Sequence, residues 1–579
     1  MRIKAAAAVA VAGVSALLLS ACGVGGGGGG SATASGNFAD CPANVNTCNA
    51  VPADQLQRGG TITFAIEKNI PNWNVVSADG NVFETGMATQ AYLPAAFKTQ
   101  PDLKLALNTD LMVSADLVNP TTIVYKIKPE AVWSDGTPIS AQDFIYAWKM
   151  QSPARCPDCS TAGNGGWELV QNVTASDGGK TATMTLSKPF TDWQNYFSSG
   201  QPLYPAHIAA QHGDLNTPQG VAASFDWFGK NPPTYSGGPY VVERWQDNQA
   251  LTLAPNPRWY GATKPTLDKL IMRVITDATQ EPIALQNNEV QVIYPQPQVD
   301  IVQQLQQIPN VSQQQQLGLT WEHYDLNLRN PALQDKALRQ AMFTAVNRQD
   351  IIAKTVGQFN PEVGPLNSLM FLPQQEGYTD NIAQTGLGSG DVERAKKILT
   401  DAGYTGVGQA LVAPGGKPVP AMRIRYTVGN AIRQNESELF AGYMRQLGIN
   451  VTVEPTDDLG TTLTAGDYDI MVFAWVQSPA PFANAQQTFL STSGNNFGQY
   501  KNPATDKLLT EAASSVDKAA ATAKLNEADR IILGDAYVLP LYQKPVLLAT
   551  QNGVANVRSN ASLNGPMYNA GEWGLRTGG

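Results

Sequence analysis

Apolar and polar positions alternate with two different periods along the chain. Ile62, Phe64 and Ile66 fall on one side of "GGTITFAIE", and "TTIVYKIKP" from Thr121 to Pro129 alternates the same way. A period of two predicts half-buried strands. Phe144, Ala147 and Trp148 recur at helical spacing, and Ser140 stands three residues before Asp143 as a capping box, so a helix is predicted to start there. Strands are predicted again around Thr181–Leu186 and Val241–Leu253. The glutamine-rich stretch 286–316 carries Val299, Val302, Leu305 and Ile308 every three residues, which predicts a short amphipathic helix and not a low-complexity tract.

After Trp321 the pattern becomes α/β. Leu338, Met342 and Ala345 mark a helix over 335–347, and a second runs over 391–402, stopped by Gly403. A strand with Met422, Ile424 and Tyr426, a helix through Glu438–Leu447 and a strand with Ile449, Val451 and Val453 make a βαβ unit, which implies parallel pairing. In "DYDIMVFAWVQSPAPF", residues 470–474 are continuously apolar, as in a strand buried on both faces. Open α/β sheets collect ligands outside the carboxyl ends of their strands, and Trp475 to Ser478 hold that position.

Composition adds constraints. The 579 residues exceed what one hydrophobic core supports, so at least two lobes are expected. A net charge of −9 without a basic cluster argues against nucleic-acid binding. Arg2 and Lys4, the apolar run Ala5–Leu18 and "LSAC" at 19–22 read as a lipoprotein leader (1–21), with Cys22 as the lipidated residue. The alternative is an ordinary secretory signal. The glycine-rich 22–56 segment is expected to be a flexible tether. The other cysteines are even in number, and local spacing favours disulfides Cys41–Cys48 and Cys156–Cys159. "CPDC" also reads as a redox motif or half of a zinc site, though only three histidines are available as further ligands. No Gly-x-Ser-x-Gly elbow, phosphate-binding loop or HExxH motif is present, so no enzyme chemistry, metal or cofactor is expected.

"YKIKPEAVWSDGTPISAQDFIYAWK" (125–149) resembles the signature of the peptide/nickel class of extracytoplasmic solute-binding proteins, family 5. "SGGPYVVERWQDNQALTLAPNPRWYG", "LNLRNPALQDKALRQAMFTAVNRQDII", "VERAKKILTDAGY" and "DYDIMVFAW" resemble further family segments in the expected order. The spacing of "LNSLMFLPQQEGYTDN" is similar to actinobacterial oligopeptide-binding lipoproteins.

The resemblance implies an α/β periplasmic-binding-protein-like type II fold of three domains in two lobes with a ligand cleft between. Domain I is expected over 57–84, 237–319 and 538–579, domain II over 85–236 and domain III over 320–537. It also implies a monomer that captures an oligopeptide or peptide-like solute and delivers it to the permease and ATPase subunits of an ABC importer. The protein would be exported and lipid-anchored on the outer face of the cytoplasmic membrane.

Asn69, Trp73, Asn74, Tyr426, Phe473, Trp475, Gln477, Ser478 and Phe497 are expected around the ligand. Trp73 lies in the polar loop "NIPNWNVV", where an aromatic reads either as a ligand wall or as satellite core. Trp475 matches the family's strand-end tryptophan, commonly a pocket wall. Peptide binders of the family commonly carry an Asp three residues later for the ligand's α-amine, and this chain has Ser478. Either another acid replaces it, Asp79, Glu84, Asp457 and Asp458 being candidates, or the ligand is amine-blocked or glycosylated. A regulatory or scaffolding envelope lipoprotein is the reading from a different class. A nickel or haem carrier ranks third, because histidine is scarce.

Overall fold

The computed structural model describes residues 34–163 and 165–578, so the leader and Cys22 lie outside the described residues. In chain order the main strands are β1 (Thr61–Ile66), β2 (Met112–Asn119), β3 (Thr122–Ile127), β4 (Val170–Ser176), β5 (Thr181–Leu186), β6 (Tyr240–Gln246) and β7 (Ala250–Pro255). They continue with β8 (Lys269–Val274), β9 (Val292–Ile293), β10 (Val311–Leu326), β11 (Met422–Thr427), β12 (Val451–Thr456), β13 (Ile470–Val476) and β14 (Val538–Gln551).

Ten of them form one sheet in the order β12-β11-β13-β10-β14-β9-β1-β8-β7-β6. The two long strands β10 and β14 run through both halves of the molecule. Their antiparallel ladder holds from Val311↔Gln551 to Leu317↔Pro545, breaks, and resumes at Trp321↔Gln543. Gly318 occupies the break. A Cβ there would lie 3.0 Å from Val546 Cγ1 and 3.1 Å from the Lys544 carbonyl, so a larger residue would push the strands apart by a few tenths of an ångström.

Strand directions place a cleft at this break. β9 pairs with β14 at Val292↔Thr550 and Ile293↔Ala549, and therefore advances toward Pro545. β1 and β8 run parallel to it. From the other half, β13 advances from Ile470↔Leu326 to Val476↔Thr320, also toward the break, and β11 and β12 run parallel to β13. The carboxyl ends of both parallel sets thus face one another, the position where such sheets bind ligands.

The antiparallel sheet β2-β3-β5-β4 is added to the first half. Its helix Ala141–Gln151 starts at the predicted capping box, with Ser140 N donating to Asp143 Oδ2 at 2.8 Å. Phe64 of the large sheet, with Trp573 edge-on to it, shares one apolar core with Tyr125, Phe144 and Phe197, so the two sheets make a single lobe. The second lobe has its own core around Tyr324, Phe440, Ile470 and Val472. This is the α/β type II binding-protein architecture expected from the sequence.

Two expectations need correction. The segment 22–56 is not a tether from Ala34 onward. Ser35 N donates to Gln313 O, Asn37 bonds Ser312 and Asn552, and Phe38, Cys41 and Cys48 are buried in the first core. Phe38 and the Cys41–Cys48 disulfide supply the apolar contact and the closed loop that docking requires. The glutamine-rich stretch also divides: Val299–Gln307 is the predicted helix, but Gln313–Gln316 belong to β10. Cys156–Cys159 is a disulfide, which leaves neither sulfur free for metal or thiol chemistry.

Buried carboxyls set the pH dependence. Burial pushes Asp143 and Asp529 up to about 6, Asp192 to about 7, Asp325 to about 8 and Glu281 to about 9. Glu436 is raised by burial and by the neighbouring Glu322 carboxylate. Each stays protonated in the folded state after its unfolded counterpart ionises, so stability falls as pH rises from about 4 through these values. His323 acts the other way, burial holding it at about 3. Six acids outweigh one imidazole. Calorimetry is therefore expected to give a higher Tm near about pH 5 than near about pH 8.

Candidate ligand-binding cleft

The second-lobe wall is built on β13. Ile470 and Val472 face the core, while Met471 and Phe473 pack on Leu463 and Tyr468. On its β11 side β13 is paired only at Ile470 and Met471, so its backbone from Val472 to Val476 has no ladder partner there. Val472 and Phe473 are buried, Ala474 and Trp475 are half-buried and Val476 is 55% exposed, so the edge opens toward its carboxyl end. Beside it the half-buried Trp475 ring stacks on Phe497, with centroids 5.8 Å apart and planes 4° from parallel, and meets Phe473 edge-on at 5.1 Å. An unpaired strand edge next to an aromatic wall is the geometry of peptide recognition by strand addition.

Behind this edge is a charged group that sequence reasoning missed. Glu322 of β10, opposite Ala474, is fully buried. Its Oε1 accepts from Arg433 Nε at 2.7 Å, and its Oε2 lies 3.1 Å from Lys544 Nζ. Arg433 also donates to Thr427 Oγ1 at 3.2 Å, and its helix, Ala431–Gln446, is N-capped by Asn430. Burial alone would raise the Glu322 pKa; Lys544 and Arg433 outweigh it and hold the carboxyl below its ordinary value. Glu436, bonded by Tyr542 OH, is kept toward its neutral form. Two cations thus share one ionised carboxylate, and the surplus positive charge favours an anionic group in the cleft. No local signal singles them out, because both strands carry other polar residues, Gln313–Gln316, His323 and Asp325 in β10 and Gln543 in β14.

The remaining expected residues separate. Gln477 is buried and fully used, donating to Leu369 O and Met370 O, both at 3.3 Å, and accepting from Asn484 at 3.1 Å. Ser478 Oγ accepts from Ala480 N at 3.2 Å and supplies no charge. Tyr426 is packed into the second-lobe core. Asn69 is on the first lobe, donating to Asp247 at 2.7 Å.

Trp73 and Asn74 do not line the cleft. Trp73 is 4% exposed, its ring edge-on to Trp245 at 5.1 Å and its backbone N–H donating to Gly229 O. Asn74 donates to Phe225 O at 3.2 Å. This polar loop folds inward because its groups satisfy one another: Asn72 Oδ1 accepts from Asn74 N, and Thr85 donates to Asn72 O.

The lobes touch away from the long strands. Thr191 Oγ1 donates to Ala512 O at 2.7 Å, and Thr191 N donates to Ala513 O at 3.0 Å. Asp192 Oδ2 accepts from Ala483 N at 2.8 Å, which caps the helix Pro481–Phe489 from the opposite lobe. A cavity of about 350 Å³ lies beside these contacts, with walls that include Phe190, Trp193, Phe371 and Phe482.

Comparison with known proteins gives a family. The model described as "Bacterial extracellular solute-binding proteins, family 5 Middle" matches residues 107–497. The chain is similar to the oligopeptide-binding protein OppA of Mycobacterium tuberculosis, 30% identical over 514 residues that cover 86% of this chain and 83% of that one. Among solved structures, a periplasmic EDTA-binding protein, EppA, is 38% identical with a TM-score of 0.86, covering 92% of this chain and 98% of that one. The Bacillus subtilis oligopeptide-binding protein AppA, in complex with a nonapeptide, shares the fold at 21% identity with a TM-score of 0.71, covering 90% and 99%.

Proposed function

The chain belongs to the bacterial extracellular solute-binding proteins, family 5, a family of binding proteins and not of enzymes, and from that premise we propose that it captures an oligopeptide or peptide-like solute for the permease of an ABC importer. The observation that carries this reading is the unpaired edge of β13 beside Trp475, at the strand end that advances toward the break between the lobes. A peptide laid along its open part, Ala474–Val476, obtains backbone hydrogen bonds that do not depend on its sequence. Closure of the lobes around the ligand is the mechanism, and no bond is made or broken. The Thr191 and Asp192 contacts support a closed arrangement. The finer assignments belong to the same proposal: Cys22 carries the lipid, the body stands on the outer face of the cytoplasmic membrane, and it acts as a monomer.

A second reading is a ligand without a free amine, such as a blocked peptide or a polycarboxylate. Ser478 brings no carboxylate to the strand end, and the surplus charge of Arg433 and Lys544 suits carboxylates. The relative EppA is described as binding EDTA, which has no primary amine. Uptake of isotope-labelled peptides by a deletion strain tests the transport role. Loss of uptake, restored by the intact gene, is the expected result. Unchanged uptake with disturbed envelope assembly would favour a scaffolding role.

A further inference from the structure

Three carboxyls of the first lobe stand at the carboxyl end of its parallel strands with almost no cation to balance them. Glu67 follows directly on β1, and one of its oxygens accepts from Gln296 N at 3.0 Å. Glu84 lies in the helix Phe83–Thr89, beside Phe83, whose ring stacks on Tyr294 at the end of β9. Glu281 opens the helix Glu281–Gln286 in the connection from β8 to β9, the two strands that flank β1. That connection starts where Ile275 N donates to Ile66 O, so it runs off the end of β1.

Glu281 is the unusual member. It is fully buried, and neither carboxyl oxygen has a hydrogen-bond partner among the described residues. Glu67 is the one charge that acts on it. Glu67 and Glu84 share a single cation, Lys68, which is solvent-exposed. Buried polar groups without partners are rare, because each forfeits its hydration without compensation.

We propose that Glu67, Glu84 and Glu281 form a cation-accepting end of the cleft that receives the ammonium group of a bound peptide. An ammonium offers three N–H donors and one positive charge, both of which Glu281 lacks. It is also the group that Ser478 leaves without a counter-charge. The acids belong to the first lobe, while Arg433 belongs to the second and Lys544 to the break in β14 between the lobes, and these two offer positive charge. The cleft is therefore bipolar, and a peptide with free ends fits it in one direction. This inference rests on the peptide reading above.

Binding of the cation has a proton signature. Burial and the Glu67 carboxylate push Glu281 up to about 9, and burial raises Glu67 and Glu84 as well. The charged and titratable groups at this end are Glu67, Lys68, Glu84, Glu281 and Tyr294, with Asp277 and the Arg273–Glu289 pair on β8 and its connection to β9; of these charges Glu67 acts on Glu281, and Lys68 on Glu67 and Glu84. An arriving ammonium ionises Glu281, so a proton leaves the protein on binding.

The test uses the full chain, unfolded and refolded to strip carried-over ligand, with tri- to octa-alanine and their N-acetylated counterparts as probes. Titration calorimetry in buffers of different ionisation enthalpy reads both affinity and proton release. Free-amine peptides are expected to bind about tenfold or more tighter than acetylated ones, with proton release. Glu67→Gln should remove most of that preference with little change in Tm. Glu281→Gln should abolish the proton release and raise the Tm of the empty protein. Equal binding of free and acetylated peptides, or an undiminished preference in both Glu67→Gln and Glu84→Gln, overturns the inference and leaves the peptide reading in place. Binding of neither series overturns the peptide reading itself.

Discussion

Arg433→Met is expected to destabilise the empty protein by about 3–5 kcal/mol, seen as a lower urea midpoint at unchanged slope. The reason is Glu322, fully buried in β10 with Arg433 and Lys544 as its two counter-charges. Removing the guanidinium leaves an ionised carboxylate with only Lys544 Nζ, and the desolvation already spent on Glu322 is no longer offset. The double change Arg433→Met/Glu322→Gln should recover much of the loss, because the two residues form one unit. The pH dependence has a definite sign. Glu322 is held below its ordinary pKa despite burial, so its contribution is present above about pH 4.5 and fades as pH falls below that. The defect of Arg433→Met should shrink over the same acid range. A loss under about 1 kcal/mol, or one independent of pH, would mean the pair is solvated as an ordinary surface bridge.

Trp475→Ala should weaken ligand binding about tenfold to hundredfold while lowering the Tm of the empty protein only slightly. The indole is half-buried, and its face lies against Phe497 beside the unpaired edge of β13. Truncation removes a rigid apolar wall that a ligand covers on binding, whereas the empty protein loses mainly the stack on Phe497 and the edge contact with Phe473. Matched losses of affinity and stability would identify Trp475 as core. Trp321, fully buried one strand away, is the control: Trp321→Ala should cost stability first.

These residues also mark how far the sequence is readable. β13 was legible because five consecutive apolar residues have no surface use, and the βαβ order before it implied parallel strands whose ends bind ligands. The capping box at Ser140 and both local disulfides were legible because their partners are near in sequence. The carboxyl cluster was not. Glu84 was a candidate, but Glu67 and Glu281 join it only through the sheet order β9-β1-β8, across more than two hundred residues. Glu322 and Lys544 lie in strands with several other polar residues, and their meeting with Arg433 depends on a helix docking that no local pattern encodes. Trp73 shows the opposite case. Its loop reads either as a ligand wall or as satellite core, and the hydrogen bonds around Asn72 let this loop pack the indole inside, the second of the two. The docking of the segment after Ala34 was missed for a similar reason: the Cys41–Cys48 loop was legible, but the glycine- and polar-rich start obscured the burial of Phe38 beside it.

The central claim is that the cleft holds a peptide along β13. Native mass spectrometry of protein purified under non-denaturing conditions from the organism that encodes it, with released ligands fragmented and sequenced, tests this most directly. The account expects bound oligopeptides of mixed sequence that carry free amino termini, reduced or lost in Trp475→Ala. Bound chelates, glycolipids or other molecules without a peptide backbone, present equally in wild type and Trp475→Ala, would contradict it.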